Sequence, residues 1–200
     1  QVDSILAQSE ARFELVALDD ASTDDSLAIL REYAARDARV RVESNAVNLG
    51  AARSFERALA LARAPFIAPC DQDDVWHPRK LERLLAAIGD RDLAYADSIY
   101  VDARGNDLGR RVSDDVDMMD GRGALRFAFS NTVSGHAALL RRELFEAARP
   151  FPHELHHDWW LAANAAARGG IVYLDEPLVW FRRHGAALTT LGRDGCATVE

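Results

Sequence analysis

Lysine is nearly missing from this chain: Lys80 is the only one among 24 basic residues, the rest being arginine. That bias is a compositional preference and carries no site by itself. Cysteine is scarce too, with only Cys70 and Cys196, far apart and without a Cys-x-x-Cys spacing. A disulfide framework and a structural zinc site are therefore not expected, and a reducing, cytoplasmic compartment fits best. No apolar run approaches the ~20 residues needed to span a bilayer. There is no basic run, and the formal charge is −8, so nucleic acid is not an expected partner. Only short arginine pairs, Arg110-Arg111 and Arg182-Arg183, leave room for peripheral contact with the inner face of a membrane. Internal repeats and low-complexity linkers are also lacking. A chain of 200 residues is long enough to bury one sizeable core, so one domain is the default.

What is present is an alternation of elements. Phe13–Leu18 is almost wholly apolar and reads as a strand buried on both faces. The polar turn after it leads to a helix from about Asp24 to Arg36, with Leu27, Leu30 and Ala34 inward. Val40–Val42 is a short strand, and Ala51–Ala62 a second helix. Phe66–Ala68 is a third strand, and Leu81, Leu84, Leu85 and Ile88 mark the clearest helix. This is a β-α-β-α-β-α series with short connections, an α/β layer. Beyond Gly89 the pattern becomes mixed: strands at Leu93–Asp97 and Ile99–Asp102, an acidic stretch Ser113–Asp120 read as a mobile loop, and a strand near Ala137–Leu140. Helices at Arg142–Ala148 and Asp158–Arg168 precede closing strands at Ile171–Leu174 and Leu178–Phe181.

The chemistry gathers at strand ends. Asp71, Asp73 and Asp74 follow the third strand directly, where open α/β sheets bind ligands. Three carboxylates within four residues repel one another unless donors or a cation neutralise them, and Mg²⁺ and Mn²⁺ prefer such hard oxygen ligands. A solvated acidic loop capping the next helix would read the same way. Asp19 and Asp20 end the first strand on the same sheet edge, placed to accept from a base or ribose, while Ser22 or Thr23 caps the helix. Asn48-Leu49-Gly50 opens a helix that carries Arg53, placed either to face a nucleotide or to be solvated. His156-His157-Asp158-Trp159-Trp160 sets a carboxylate beside two indoles: Asp158 is either an N-cap or a general base, and Trp159 and Trp160 are candidate platforms for a sugar face. His184 is a candidate metal or phosphate ligand. His77, His136 and His153 give no spacing argument and are read as structural.

Together, Phe13–Ser26 (FELVALDDASTDDS), Asn48–Leu59 (NLGAARSFERAL), Phe66–Leu81 (FIAPCDQDDVWHPRKL) and His157–His184 resemble family 2 glycosyltransferases, in the flavour of the rhamnosyltransferase-like branch. The resemblance implies the α/β GT-A fold, a Rossmann-like mixed sheet with helices on both faces. It also implies one such domain over 1–200, with 1–90 as the nucleotide-binding half and 91–200 as the acceptor-binding, catalytic half. The implied reaction is an inverting transfer from a nucleotide-diphosphate sugar to a glycan or lipid-linked acceptor in cell-surface polysaccharide synthesis, assisted by Mg²⁺ or Mn²⁺. Asp19, Asp20, Arg53 and Asp71 would meet the nucleotide, and Asp73, Asp74 and His184 the metal. Asp158 would be the base. Nothing at Gln1–Gln8 corresponds to the family's first strand, so the chain reads as lacking it.

Two other readings compete. Asp71-x-Asp73 also resembles the nucleophile motif of haloacid-dehalogenase-type phosphatases, but that family carries it on the first strand. A binding domain without turnover is the other, motivated by the absent strand. The donor's base and sugar stay open among dTDP-rhamnose and UDP- or GDP-sugars.

Overall fold

The computed structural model describes residues 1–127, 130–152, 154–183, 190–191 and 197–198. The chain opens with a short helix, α1 (Val2–Leu6), followed by β1 (Leu15–Asp19), α2 (Ser26–Arg36), β2 (Val40–Ser44), α3 (Ala51–Leu61) and β3 (Phe66–Ile67). A two-residue strand, β4 (Val75–Trp76), precedes α4 (Lys80–Ile88), β5 (Leu93–Val101) and β6 (Asp107–Arg111). Then come α5 (Ala124–Phe127), β7 (Ala138–Arg141), α6 (Arg142–Ala148), α7 (His157–Ala167) and β8 (Ile171–Arg182).

Two sheets position everything else. β1 and β2 run parallel as a pair, Leu15 opposite Val40 and Asp19 opposite Ser44. The larger sheet has the order β3-β7-β5-β8-β4, with β6 beside β5. It is mixed: β5 and β8 are parallel, whereas β7 is antiparallel to both β3 and β5. Because β1 has only β2 as a partner among the described residues, its apolar Leu15–Leu18 are half-buried, not buried on both faces. For the same reason α2 buries no residue fully, and Leu27, Leu30 and Ala34 cover the small sheet only in part.

Three features differ from the sequence pattern. The two expected strands after Gly89 are one nine-residue strand, and the two closing strands are one strand of 12 residues. In β8 a bulge falls where Leu174 gives way to Pro177. Asp175 and Glu176 drop out of the register there, and Pro177, which has no N–H for the ladder, stands opposite Asp97 before pairing resumes. Ser113–Asp120 is anchored as well: Asp97, fully buried, accepts from Ser113 N–H and Oγ–H, and the Met119 N–H donates to Tyr95 Oη at 2.8 Å. Side-chain bonds that no periodicity reveals hold that loop.

The main core lies between β5, β7, β8 and α6–α7, around Tyr95, Leu140, Phe145 and Leu161. A second cluster joins α4 to the opposite sheet face through Leu84 and Ile88. The stripe at Leu81, Leu84 and Ile88 is buried as its 3.6-residue spacing requires. Among the described residues no helix is long and apolar enough to cross a membrane.

Candidate active site

The site sits at one end of the larger sheet, where β3 ends and β7 begins. Antiparallel pairing sets Ile67 opposite Leu140; continued outward, that register brings the segment after β3, with Asp71, alongside the residues entering β7, with His136. The structure joins them: His136 Nδ1 lies 3.7 Å from Asp71 Oδ2 and 3.5 Å from Asp74 Oδ2. His136 was missed by its spacing. Only the strand pairing reveals it.

Asp74 is fully buried. Its Oδ1 accepts the Arg182 N–H at 3.0 Å, while Oδ2 has no hydrogen-bond partner. Burial pushes its carboxyl up to about 6, against the pull of His136 and the Arg182 N–H. Asp71 is more open, with 37% of its side chain exposed. Burial works to raise it too, but the pull of the facing His136 imidazole outweighs this and leaves it below the usual carboxylate range. His136 responds in kind: burial lowers it, and the two carboxylates more than restore it. Asp73 lies between them in sequence but outside this cluster, and its carbonyl accepts Arg182 Nε–H at 2.9 Å.

Beneath the cluster lies Lys80, with no exposed surface. Its ammonium donates to the His136 carbonyl and stands 3.3 Å over the Trp76 ring. Burial brings the ammonium down to about 7, although Cys70, Asp74 and Asp71 oppose that. The Cys70 thiol is pushed up to about 12 by burial, so it stays protonated and inert.

Asp158 approaches from the other side, in the first turn of α7. Its Oδ2 accepts the Gly135 N–H at 3.3 Å and its Oδ1 the Trp159 N–H. Gly135–Ala137 is a single 3₁₀ turn, so one turn touches the acidic cluster through His136 and the base candidate through Gly135. His157 stacks on Phe55 of α3, ring centres 3.8 Å apart. The indole N–H groups are held by carbonyls, Trp159 on Phe127 and Trp160 on Ala148, and Trp160 packs against the main core.

On the small sheet, Asp19 is buried and caps the turn through Ser22 N–H. Ala21 there has a φ of 58°, a left-handed conformation that costs a residue with a Cβ. Asp20 organises the facing loop by accepting from Asn45 Nδ2, Leu49 N–H and Gly50 N–H. Burial opposes its ionisation, yet these donors hold its carboxyl below the usual range. Arg53 is exposed and lines a shallow surface cavity with Leu49 and Gly50. His184 lies outside the described residues. Of the two arginine pairs that left room for membrane contact, Arg110 meets Asp115, Arg111 meets Asp175, Arg182 reaches the carbonyls of Asp73, Asp102 and Ala103, and Arg183 lies over the Tyr100 ring.

The donor set can hold a metal ion. One ligand atom each from Asp71, Asp74 and His136 lie within 4.8 Å of one another, and a buried carboxylate oxygen without a donor is what a cation would satisfy.

TuaG of Bacillus subtilis, a glycosyltransferase named for teichuronic acid biosynthesis, is 36% identical over 99 residues, covering 50% of this chain and 39% of its own length. A Nostoc glycosyltransferase is 28% identical over 196 residues, covering 92% of this chain and 60% of itself. This chain thus spans less than two thirds of either relative. S. aureus TarS 1–349, solved with UDP-GlcNAc, matches with a TM-score of 0.71 at 20% identity, over 93% of this chain and 54% of that one. PcManGT, a mannosyltransferase from Pyrobaculum calidifontis solved with GDP-Man and Mn²⁺, matches with a TM-score of 0.63 at 18% identity, over 88% and 49%. These likenesses show an α/β fold of the GT-A type. Residues 2–149 match the model of glycosyl transferase family 2, and the chain belongs to that family.

Proposed function

We propose that this chain carries the donor- and acceptor-handling core of an inverting glycosyltransferase. It would move a sugar from a nucleotide diphosphate to an acceptor hydroxyl during cell-surface polysaccharide synthesis. The observation that carries the reading is the Gly135–Ala137 turn, which sets Asp158 and the Asp71–Asp74 cluster on its two sides. Family membership displaces the phosphatase alternative, and Asp71 follows the third strand of the chain, not the first.

In this reading residues 1–90 form the nucleotide half and 91–200 the acceptor half of one domain. Asp19 and the Asp20-pinned loop, with Arg53, face the nucleoside. Asp71 and Asp73 stand at the diphosphate end, with Asp74 behind them. A bound Mg²⁺ or Mn²⁺ would offset the charge that grows on the leaving diphosphate. The resemblance adds His184 to the metal's neighbourhood. Asp158 takes the acceptor's proton as its oxygen attacks from the face opposite the leaving group, which inverts the anomeric centre. Trp160 is committed to the core, so the sugar-platform role falls to Trp159. A rhamnosyl or other hexosyl donor and a glycan or lipid-linked acceptor, met at the cytoplasmic membrane face, complete the proposal.

Calorimetry of the chain with UDP, GDP and dTDP, each with and without Mn²⁺, tests it. Binding that needs the ion supports the reading, and no binding of any nucleotide sinks it. Asp158→Asn should keep nucleotide binding and lose sugar transfer by a factor on the order of 10²–10⁴.

A further inference from the structure

The one lysine of the chain, Lys80, is also fully buried. An ammonium taken out of water is costly unless its donors are used, and a methionine would fill the same space without that cost. Lys80 stands over the Trp76 ring and donates to the His136 carbonyl. That carbonyl is one the Gly135–Ala137 turn leaves over. Within the turn, the Ser134 carbonyl accepts the Ala137 N–H and the Gly135 carbonyl accepts that of Ala138. Ser98 Oγ lies 3.1 Å from His136 Nε2 and so holds the ring, but a ring can be held while the peptide behind it rotates. The Lys80 bond acts on the peptide itself.

The other end of the same turn meets Asp158. The Gly135 N–H reaches Oδ2 at 3.3 Å, at the long limit of a hydrogen bond, so a turn that recedes slightly loses it. Oδ1 is taken by the Trp159 N–H, which leaves Gly135 to set the direction of Oδ2. We propose that Lys80 is a positioning residue for Asp158. Its Nζ fixes the His136 carbonyl, the carbonyl fixes the turn, and the turn holds the Gly135 N–H against the carboxylate. Ammonium and neutral amine both carry N–H donors, so the hold does not depend on the charge of Lys80. Arginine, the cation this chain uses elsewhere, would bring a planar fork where a single point donor fits. The inference rests on the proposed function for what Asp158 does; the link between the two residues needs neither donor nor acceptor.

Glycine-selective ¹⁵N labelling of the whole, metal-free chain reads the link at the Gly135 amide. Asp158→Asn is the reference, because it removes the charge that strengthens the bond. Lys80→Met should move the Gly135 amide proton in the same direction and speed its exchange about tenfold, while Gly50 and Gly89 stay unchanged. In the double variant the two shifts should not add, since the second change finds the bond already lost. Additive shifts, or a Gly135 amide unmoved by Lys80→Met, overturn the inference. A second measurement needs no change at Lys80. With ¹³C-lysine the single side chain gives one Cε signal, which Asp158→Asn should shift; an unmoved signal overturns the inference even where Lys80→Met does not fold. Turnover of UDP-GlcNAc, GDP-mannose and dTDP-rhamnose with Mn²⁺ separates positioning from binding. Lys80→Met should lower kcat by a factor on the order of 10² and leave the donor KM unchanged, whereas a raised KM with kcat intact overturns the role. No turnover of any donor by the unaltered chain would count against the proposed function and leave Gly135 to decide the link.

Discussion

The Gly135 N–H donates to Asp158 Oδ2 at 3.3 Å, and a Cβ built on Gly135 would stand 2.8 Å from His157 Nε2 and 3.2 Å from Asp158 Cβ. Real Cβ atoms essentially never come as close as the first of these, and the second is tight. The imidazole cannot swing aside cheaply, because it is stacked on Phe55. Gly135→Ala should therefore push the start of α7 away from the acidic cluster and destabilise the fold by about 1–3 kcal/mol, the cost of overpacking. Denaturant unfolding of the single variant, and of Gly135→Ala with His157→Ala, checks this. The double variant should recover part of the loss through non-additivity, and strict additivity would mean the two residues do not meet.

Asp20 makes a different prediction. Three donors from the loop between β2 and α3 converge on its carboxylate, Asn45 Nδ2 at 2.6 Å, Leu49 N–H at 2.8 Å and Gly50 N–H at 2.9 Å. Asp20→Ala should free the Leu49 and Gly50 amides, seen as faster hydrogen exchange there than in β5. With partial solvent exposure taken into account, the stability loss should be about 2 kcal/mol. Because Asp20 is held below the usual carboxylate range, its contribution is present above the unfolded carboxylate pKa near 4 and fades as pH falls toward the lowered folded value.

Lys80 sets the sign of stability against pH on the alkaline side. Its folded ammonium titrates at about 7 and its ordinary value is 10.5, so between those limits the unfolded chain binds the extra proton. Stability should then rise with pH from 7, at up to about 1.4 kcal/mol per pH unit. Above 9 the Cys70 thiol, raised from 9.0 to about 12, contributes the opposite slope, as does His136 above its ordinary 6.5, so the Lys80 contribution is read as the difference between the chain and Lys80→Met. Unfolding of the metal-free protein, with chelator present, should show this rise, and Lys80→Met should flatten it. An unchanged slope in the variant would place its origin elsewhere.

How much of this was legible in the sequence depends on range. Helix α6 lies where its residues predicted, Arg142–Ala148, and β3 delivers the chain to Asp71 as its apolar run implied, because those signals are local. The breaks between Leu174 and Leu178 and at Ser98 looked like strand ends. They are bulges and register shifts inside long strands, which only the partner strand can reveal. Lys80 and His136 were hidden for a related reason: a lone lysine in a helix's first turn and an unspaced histidine look solvated or structural until an antiparallel neighbour brings them together. The first apolar strand misled in the opposite sense. Its composition promised burial on both faces, but with β2 as its partner among the described residues it is half-buried.

Arg182 closes the acidic turn from behind, and its replacement separates charge from shape. Its Nε–H reaches the Asp73 carbonyl at 2.9 Å and its Nη1 those of Ala103 and Asp102, at 2.9 and 3.2 Å, while its backbone N–H holds Asp74 Oδ1. Arg182→Lys keeps the positive charge and the backbone donor but loses the planar fork that spans three carbonyls. If charge alone mattered, Mn²⁺ binding would be unchanged. Because the fork fixes the turn that presents Asp71 and Asp74, Mn²⁺ affinity measured by calorimetry should instead fall 10–100-fold, the usual effect of removing an outer-shell support. Asp102 also sits in the hairpin between β5 and β6, so amide exchange at Gly105 and Asn106 should quicken in the same variant. Weakened metal binding with an unaltered hairpin would assign the effect to Asp73 alone.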